Sequence, residues 1–346
     1  LNNMKMIGID GGATKVAGAQ VIRLDNHTFD LVEPVKEIQY KTHKSYIQDF
    51  EPLGLSDQVE SKDMSELESR QAEVYIECIV NILDDLINDE NVKVFIAMPG
   101  IKTLDKRGIK LMANGPRIPN LCDEIEKRLT LKNKIQQIES DADMCAWGEE
   151  FGKKGEFRNI ENAYYIGGGT GTADGLKLGG KLISFDDASK WIAKTWELMI
   201  DDKTSLEIFS SMSGIKKLKK IKSEKKIGLI LGRLIFERIN TIFYGWNDEF
   251  KVNRDIKNSH PYKKTLLDKI VFGQRLSEFL QSEKGSVVFS QMMRTLTNYC
   301  LKSETNVKNH FINNKVFDKD RIILSNLRSA PIIGLVAKSF YNADPW

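Results

Sequence analysis

The segment Ile7–Ala19, IGIDGGATKVAGA, gathers an acid, two glycines, a hydroxyl and a cation within a few positions. Gly11 and Gly12 permit a tight turn in which the backbone approaches an anion with no Cβ in the way. Thr14 and Lys15 offer a hydroxyl and a positive charge to the same anion. Asp10, at the predicted strand end, is placed to hold Mg²⁺ through water, because Mg²⁺ keeps much of its hydration shell. Taken alone, the segment also fits a glycine-rich hairpin with no ligand. A second segment, YYIGGGTGTADGLKLGG, repeats the design: Gly169, Thr170 and Gly171 sit between two predicted strands and expose N–H groups and a hydroxyl to an oxyanion. Neither segment has the spacing of a P-loop or of G-x-G-x-x-G, so both read as hairpin turns rather than strand-to-helix turns. Two such hairpins, one in each half of the chain, can grip the phosphates of one nucleotide from opposite sides. The third segment, IESDADMCAWGEE, puts Asp141 where a strand gives way to a helix, with Ser140 or Asp143 available as a helix cap. A carboxylate with a pKa of about 4 is a weak base, yet it can accept a hydroxyl proton late in phosphoryl transfer.

The elements that must position these residues follow from hydrophobic spacing. Residues 4–10, 15–24 and 28–40 read as an antiparallel meander of three strands, and 48–65 as a polar loop. Helical spacing runs over 65–88, a buried-type strand over 92–98, a helix over 121–129, a strand over 135–139 and a helix over 142–151. A second strand-rich stretch covers 162–166, 172–178 and 181–184. Beyond it the pattern predicts helices at 187–200, 203–212, 225–245, 261–282 and 284–302, a strand at 321–325 and a last helix at 329–341. The expected fold is therefore α/β and duplicated: two lobes, each a mixed β-sheet flanked by helices, with a cleft between them. The division is placed at 1–140, carrying the first hairpin, and 141–346, carrying the second hairpin and a helical insert, with the last helix able to pack back on the first lobe.

Composition narrows the function classes. At 346 residues the chain is too long for one small core. Its 51 Lys+Arg against 48 Asp+Glu leave a formal +3, far from the uncompensated charge of a nucleic-acid coat or a polybasic membrane anchor. The apolar stretch 227–246 is broken by Arg233, Glu237 and Arg238, which reads as a globular helix rather than a membrane span. Cys78, Cys122, Cys145 and Cys300 form no C-x-x-C pair, which suggests buried thiols in a reducing, cytoplasmic compartment and neither disulfides nor a zinc knuckle. The lysine-rich stretch 214–228 has apolar residues Ile215, Leu218, Ile221 and Ile227 that fit a solvated helix face better than a nucleic-acid surface. Trp191 and Trp196 read as packing residues before sugar-stacking ones.

In sequence the chain resembles the sugar kinases of the actin/hexokinase/heat-shock-protein ATPase superfamily, whose two-lobed fold is ribonuclease H-like. Within it the chain is similar to the ROK family (repressors, open reading frames and kinases), with local similarity to the N-acetylglucosamine kinase and BadF-like group. IGIDGGATK resembles the first phosphate motif, YIGGGTGTADGLKLGGKL the second, and ESDADMCAWGE the segment holding the catalytic aspartate. AMPG (97–100), ANGPRIPNL (113–121) and SLEIFSSMSGI are similar to further ROK stretches, in the same order over most of 4–215. The resemblance implies a kinase that transfers the γ-phosphoryl group of Mg-ATP to a hydroxyl of a hexose or N-acylated amino sugar. Asp141 would then be the base and a sugar ligand, Gly100 and Glu207 would line the sugar pocket, and Asp10, Thr14, Lys15, Gly169, Thr170 and Gly171 would hold Mg-ATP. Although some members of the family are repressors, the near-balanced charge argues against a nucleic-acid or membrane partner; dimers are common in these families, so a homodimer is compatible.

Departures from the family pattern leave other readings open. Ser140 stands where ROK kinases usually carry an asparagine, and the Gly-His and Cys-x-Cys-Gly zinc segments are absent. In their place DDASKWIAKTW resembles the N-acetylglucosamine kinase group and makes Asp186 or Asp187 a candidate sugar ligand. Ser325-Asn326 replaces the usual Gly-Gly beside adenine. The alternatives are a non-catalytic sugar- or nucleotide-sensing protein on the same fold, or a BadF-like ATPase.

Overall fold

The computed structural model describes residues 4–61, 63–88, 91–218 and 223–343. They form two compact units, 1–153 with 329–346, and 154–328. In chain order the first unit contains β1 (Lys5–Gly11), β2 (Lys15–Arg23), β3 (Phe29–Gln39), α1 (Leu55–Glu60), α2 (Glu66–Leu86), β4 (Val92–Ala97), β5 (Ile101–Lys102), β6 (Ile109–Leu111), α3 (Leu121–Leu129), β7 (Ile138–Glu139) and α4 (Asp141–Phe151). The second contains β8 (Ala163–Gly168), β9 (Thr172–Leu178), β10 (Lys181–Ile183), α5 (Met212–Leu218), α6 (Glu224–Tyr244), β11 (Lys269–Gly273), α7 (Gln274–Gln281), α8 (Glu283–Leu301), α9 (Thr305–Phe311), β12 (Ile312–Asn313), β13 (Val316–Phe317) and β14 (Ile322–Leu324). Helix α10 (Ala330–Ala343) then completes the first unit.

The two principal sheets share one plan. Their strand orders are β3-β2-β1-β4-β7 and β10-β9-β8-β11-β14. In each, the first three strands pair antiparallel and the last two continue parallel from the first strand of the meander. Each unit is thus a mixed sheet flanked by helices, as the sequence pattern predicts. In the first unit Ile7, Ile9, Val16, Ile79, Ile82 and Ile96 form one core between the sheet and α2. Ser65 starts α2 by accepting the Glu68 N–H at 3.0 Å, so one of the orphan donors of the first turn is satisfied. On the other face, α10 lies tightly against α4: a methyl group on Gly148 would sit 2.0 Å from the Ala330 carbonyl oxygen, and one on Gly334 would sit 2.1 Å from that of Met144.

Several predicted elements are corrected. The apolar spacing of 261–282 does not give one helix. It gives a loop, then β11 between β8 and β14, then α7. The run Ile270-Val271-Phe272 is fully buried with strands on both sides, and such an all-apolar run carries no period by which to separate strand from helix. Residues 187–200 and 203–212 carry only the 3₁₀ turns Thr195–Glu197 and Leu206–Phe209 before α5 begins. Side-chain and backbone bonds to neighbouring segments hold this stretch in place of a helical ladder. The polar stretch 48–65 contains α1, and only the end of 135–139 joins the sheet. Of the lysine-rich stretch, residues 219–222, including Ile221, lie outside the described residues, while Ile215, Leu218 and Ile227 are buried. Among the described residues no helix is long and apolar enough to cross a membrane.

Candidate active site

In the first unit, β1 delivers Asp10 at the C-terminal end of a strand flanked by Ala17 on β2 and Ala97 on β4. Gly11 passes close to Met98, whose Cγ would lie 2.7 Å from any added methyl group. The turn closes where the Gly12 N–H donates to the Lys15 carbonyl at 2.8 Å. Asp141 is the first residue of α4, with Ser140 as the cap, its hydroxyl oxygen facing the Asp143 N–H at 3.5 Å. Asp10 and Asp141 are brought within electrostatic reach of each other. Burial first, then the Asp141 charge, push the Asp10 carboxyl up to about 7 against the opposing pull of Lys15. Lys15 itself forms a close ion pair with Glu37 on β3, so its charge is shared before any ligand arrives.

Two tyrosines that sequence reasoning missed prop this turn. Tyr75 donates its hydroxyl to the Ala13 carbonyl at 2.6 Å, and the Tyr40 N–H donates to the Thr14 carbonyl at 3.1 Å. Their rings stack with centroids 3.7 Å apart. No local motif marks them, since they come from residues 26 and 61 positions beyond Thr14. Gly100 has φ +93°, and a methyl group there would lie 2.4 Å from the Leu111 carbonyl oxygen. Its own carbonyl accepts Lys102 Nζ at 2.8 Å, so the backbone turn between β4 and β5 by itself demands glycine.

In the second unit, Gly169, Thr170 and Gly171 form the turn between β8 and β9, closed by the Gly169 N–H to the Gly171 carbonyl at 2.9 Å. The Met212 N–H takes the Gly169 carbonyl at 2.9 Å, and Ser213 Oγ donates to that of Thr170. The start of α5 thus occupies carbonyls that would repel an anion. Glu207 lies at the same turn: its Oε1 accepts the Thr172 N–H at 2.9 Å and would stand 2.9 Å from a methyl group on Gly171. The structure therefore joins Glu207 to the hairpin. Asp186 and Asp187 are exposed, with Asp186 held by Lys194 Nζ at 2.7 Å. Ser325 is buried at the end of β14, where its N–H donates to the Phe272 carbonyl at 2.8 Å and its Oγ accepts the Leu327 N–H at 3.1 Å. Here serine does by side chain what a Gly-Gly turn cannot.

Behind β9 lies a buried ionic cluster. Arg238 is wholly inaccessible and reaches Asp174 at 3.2 Å, Glu237 at 3.0 Å, the Thr195 hydroxyl at 3.0 Å and the Ala193 carbonyl at 2.7 Å. Asp174 also accepts the Tyr164 hydroxyl at 2.6 Å and both the N–H and hydroxyl of Thr195 at 2.7 Å. Burial raises the Glu237 carboxyl, opposed by Arg238 beside it. The signal was visible: an acid inside a glycine-rich strand, and a Glu-Arg pair interrupting an apolar helix. Sequence order alone could not pair residues 64 apart. All four cysteines are buried thiols, and among the described residues no three metal-ligating side chains converge.

No protein-family model and no curated protein matches the chain. Solved structures do. One is the inorganic polyphosphate/ATP-glucomannokinase of Arthrobacter sp. strain KM, with TM-score 0.57, 15% identity, and 99% of this chain and 100% of that one covered. Another is a ROK family glucokinase from Streptomyces griseus in complex with glucose and AMPPNP, with TM-score 0.55, 13% identity, and 97% and 98% covered. A third is a ROK family transcriptional regulator, a homologue of the E. coli MLC protein, with TM-score 0.55, 13% identity, and 98% and 78% covered. At such identities the likeness is one of fold, and the fold is that of the two-lobed ROK sugar kinases.

Proposed function

We propose that this chain is an ATP-dependent sugar kinase that phosphorylates a hydroxyl of a hexose or an N-acylated amino sugar. The observation that carries the reading is the pair Asp10 and Asp141, held next to the Gly11-Gly12 turn on a scaffold that another protein uses to bind glucose and AMPPNP. Asp141 is the proposed base, oriented by its place at the start of α4; Asp10 is its electrostatic neighbour. Alignment of the sugar hydroxyl toward the γ-phosphate would supply much of the rate, since positioning is worth about 7–11 kcal/mol. Gly11, Gly12, Thr14 and Lys15, and likewise Gly169, Thr170 and Gly171, are the proposed phosphate-binding residues, with Asp10 holding Mg²⁺ through water.

The residues fit the Mg²⁺ that such a reaction implies. Mg²⁺ takes one or two carboxylates plus phosphate oxygens and keeps several waters. Asp10 holds its proton up to about pH 7 because burial and the adjacent Asp141 charge outweigh Lys15, which is already paired with Glu37. Added positive charge would release that proton. When bound, Mg²⁺ supplies charge neutralisation at the phosphate oxygens.

The test is ADP release across a panel of hexoses and N-acyl amino sugars, with and without Mg²⁺. Wild-type protein should release ADP only when a suitable sugar is present. Asp141→Ala should lose about 10²–10⁴-fold of that rate while AMPPNP affinity stays unchanged. Sugar-independent hydrolysis would point to an ATPase, and unchanged turnover in Asp141→Ala would remove its role as base. The second reading, a sugar sensor, is favoured by the regulator among the structural matches; saturable sugar binding without ADP formation would support it.

A further inference from the structure

Four tryptophans lie among the described residues, and three have evident packing roles. Trp147 stacks on Phe151, Trp191 stacks on His260 at 4.2 Å, and Trp246 is buried with its indole N–H on Asp248. Trp196 is different: it is 50% exposed, and among the described residues its ring has no aromatic neighbour and its indole N–H no hydrogen bond. Isolated apolar side chains on a surface are ordinary. What sets Trp196 apart is how firmly its backbone is held.

Each neighbour of Trp196 is anchored. Thr195 is tied through both N–H and hydroxyl to buried Asp174. The Lys194 N–H donates to Glu197 at 2.7 Å, and Glu197 in turn takes Arg254 at 2.6 and 3.0 Å. The Trp196 carbonyl accepts Ser205 Oγ at 2.9 Å, and the Leu206 N–H donates to the Leu198 carbonyl at 2.7 Å. The same Ser205 hydroxyl receives the Glu207 N–H at 3.1 Å. Trp196 and Glu207 are therefore mounted on two 3₁₀ turns bonded to each other. Through Asp174, two residues along β9 from Thr172, the mount is continuous with the glycine hairpin. Buried ion pairs seldom add net stability over apolar packing, so a cluster spent on fixing an exposed residue calls for a use of that residue.

We propose that Trp196 is a sugar-stacking platform, its exposed indole face receiving the C–H-lined face of the acceptor sugar beside the polar groups of the Glu207 turn. This rests on the sugar-kinase reading. Ligand sites join an apolar or aromatic surface to a few fixed polar groups, and a tryptophan provides the largest such surface with little conformational freedom to lose. The platform is a specificity determinant: it holds the sugar and takes no part in proton or phosphoryl transfer.

Sugar binding is to be measured by calorimetry and by intrinsic fluorescence, with glucose, mannose and N-acetylglucosamine as probes, and ADP release in parallel. The wild type should show a sugar-dependent fluorescence change, and Trp191→Phe should retain it. Trp196→Phe should lose the change yet keep affinity within about threefold, because an aromatic face remains. Trp196→Ala should weaken sugar affinity and raise KM by about tenfold, with kcat and AMPPNP affinity little altered. Unchanged sugar affinity in Trp196→Ala, or a full fluorescence change in Trp196→Phe, overturns the proposal; the second result decides even if the alanine variant folds poorly. Sugar binding without ADP release would defeat catalysis and leave the platform standing. A wild type that binds no sugar in the panel would defeat both.

Discussion

Asp10 shows how one side chain can cost the folded protein stability near neutral pH. The folded chain keeps its carboxyl protonated up to about pH 7, against an ordinary value of 3.8. Below 3.8 both states carry the proton and nothing is lost. As the pH rises to 7 the unfolded chain gives up its proton first, so stability falls across that window. Asp10→Asn should therefore match wild type at low pH and be the more stable protein at pH 8 in the presence of chelator. The gap is bounded by about three pH units at roughly 1.4 kcal/mol each, some 4 kcal/mol, and the partial exposure of Asp10 reduces it. Mg²⁺ should narrow the gap by stabilising wild type alone, read by urea unfolding at pH 8. The placement of Asp10 at a strand end, of Asp141 at a helix start and of the two glycine turns between strands was legible because each motif is local. The partners of those residues were not: Glu37 on Lys15, Tyr75 on Ala13 and Glu207 on Thr172 come from distant parts of the chain.

At the scale of elements, the position of Asp141 depends on how closely α4 can approach α10. Gly148 and Gly334 each leave no space for a methyl group against the facing backbone. Gly148→Ala should separate the helices, cost about 1–3 kcal/mol or more, and lower kcat by displacing the start of α4, while nucleotide affinity changes little. Thermal unfolding and the ADP assay together check both parts. Strong amphipathic or capped helices such as α2, α6 and α8 were plain in the sequence. β11 was not, because a strand buried on both faces and a short buried helix share one pattern. The stretch 187–212 misled for the opposite reason: its apolar residues are spaced as in a helix, yet Asp174, Arg238 and Arg254 hold its backbone in short 3₁₀ turns. Only long-range pairing selects that outcome.

For the whole molecule, the two sheets of matching strand order are the strongest sign of a duplicated architecture, and alternation of hydrophobic patterns was enough to foresee it. The covalent order of the units was less plain. The second unit is an insertion: the chain leaves the first after Lys153 and returns at Ser329. A chain shortened after Arg328 lacks α10, which covers β1 and α4. Hydrogen exchange on it should show lost protection in β1, β4 and α4 with β8, β11, α6 and α8 still protected; equal loss in both units would mean that they fold as one. The same order has a consequence on the ribosome. Domains commonly fold in the order in which they are made, but here the contiguous second unit can finish while the first, synthesised earlier, still awaits residues 330–343. Through that interval the nascent chain carries a β-sheet with one apolar face uncovered, and chaperones that recognise such faces have their longest opportunity at the half of the protein made first.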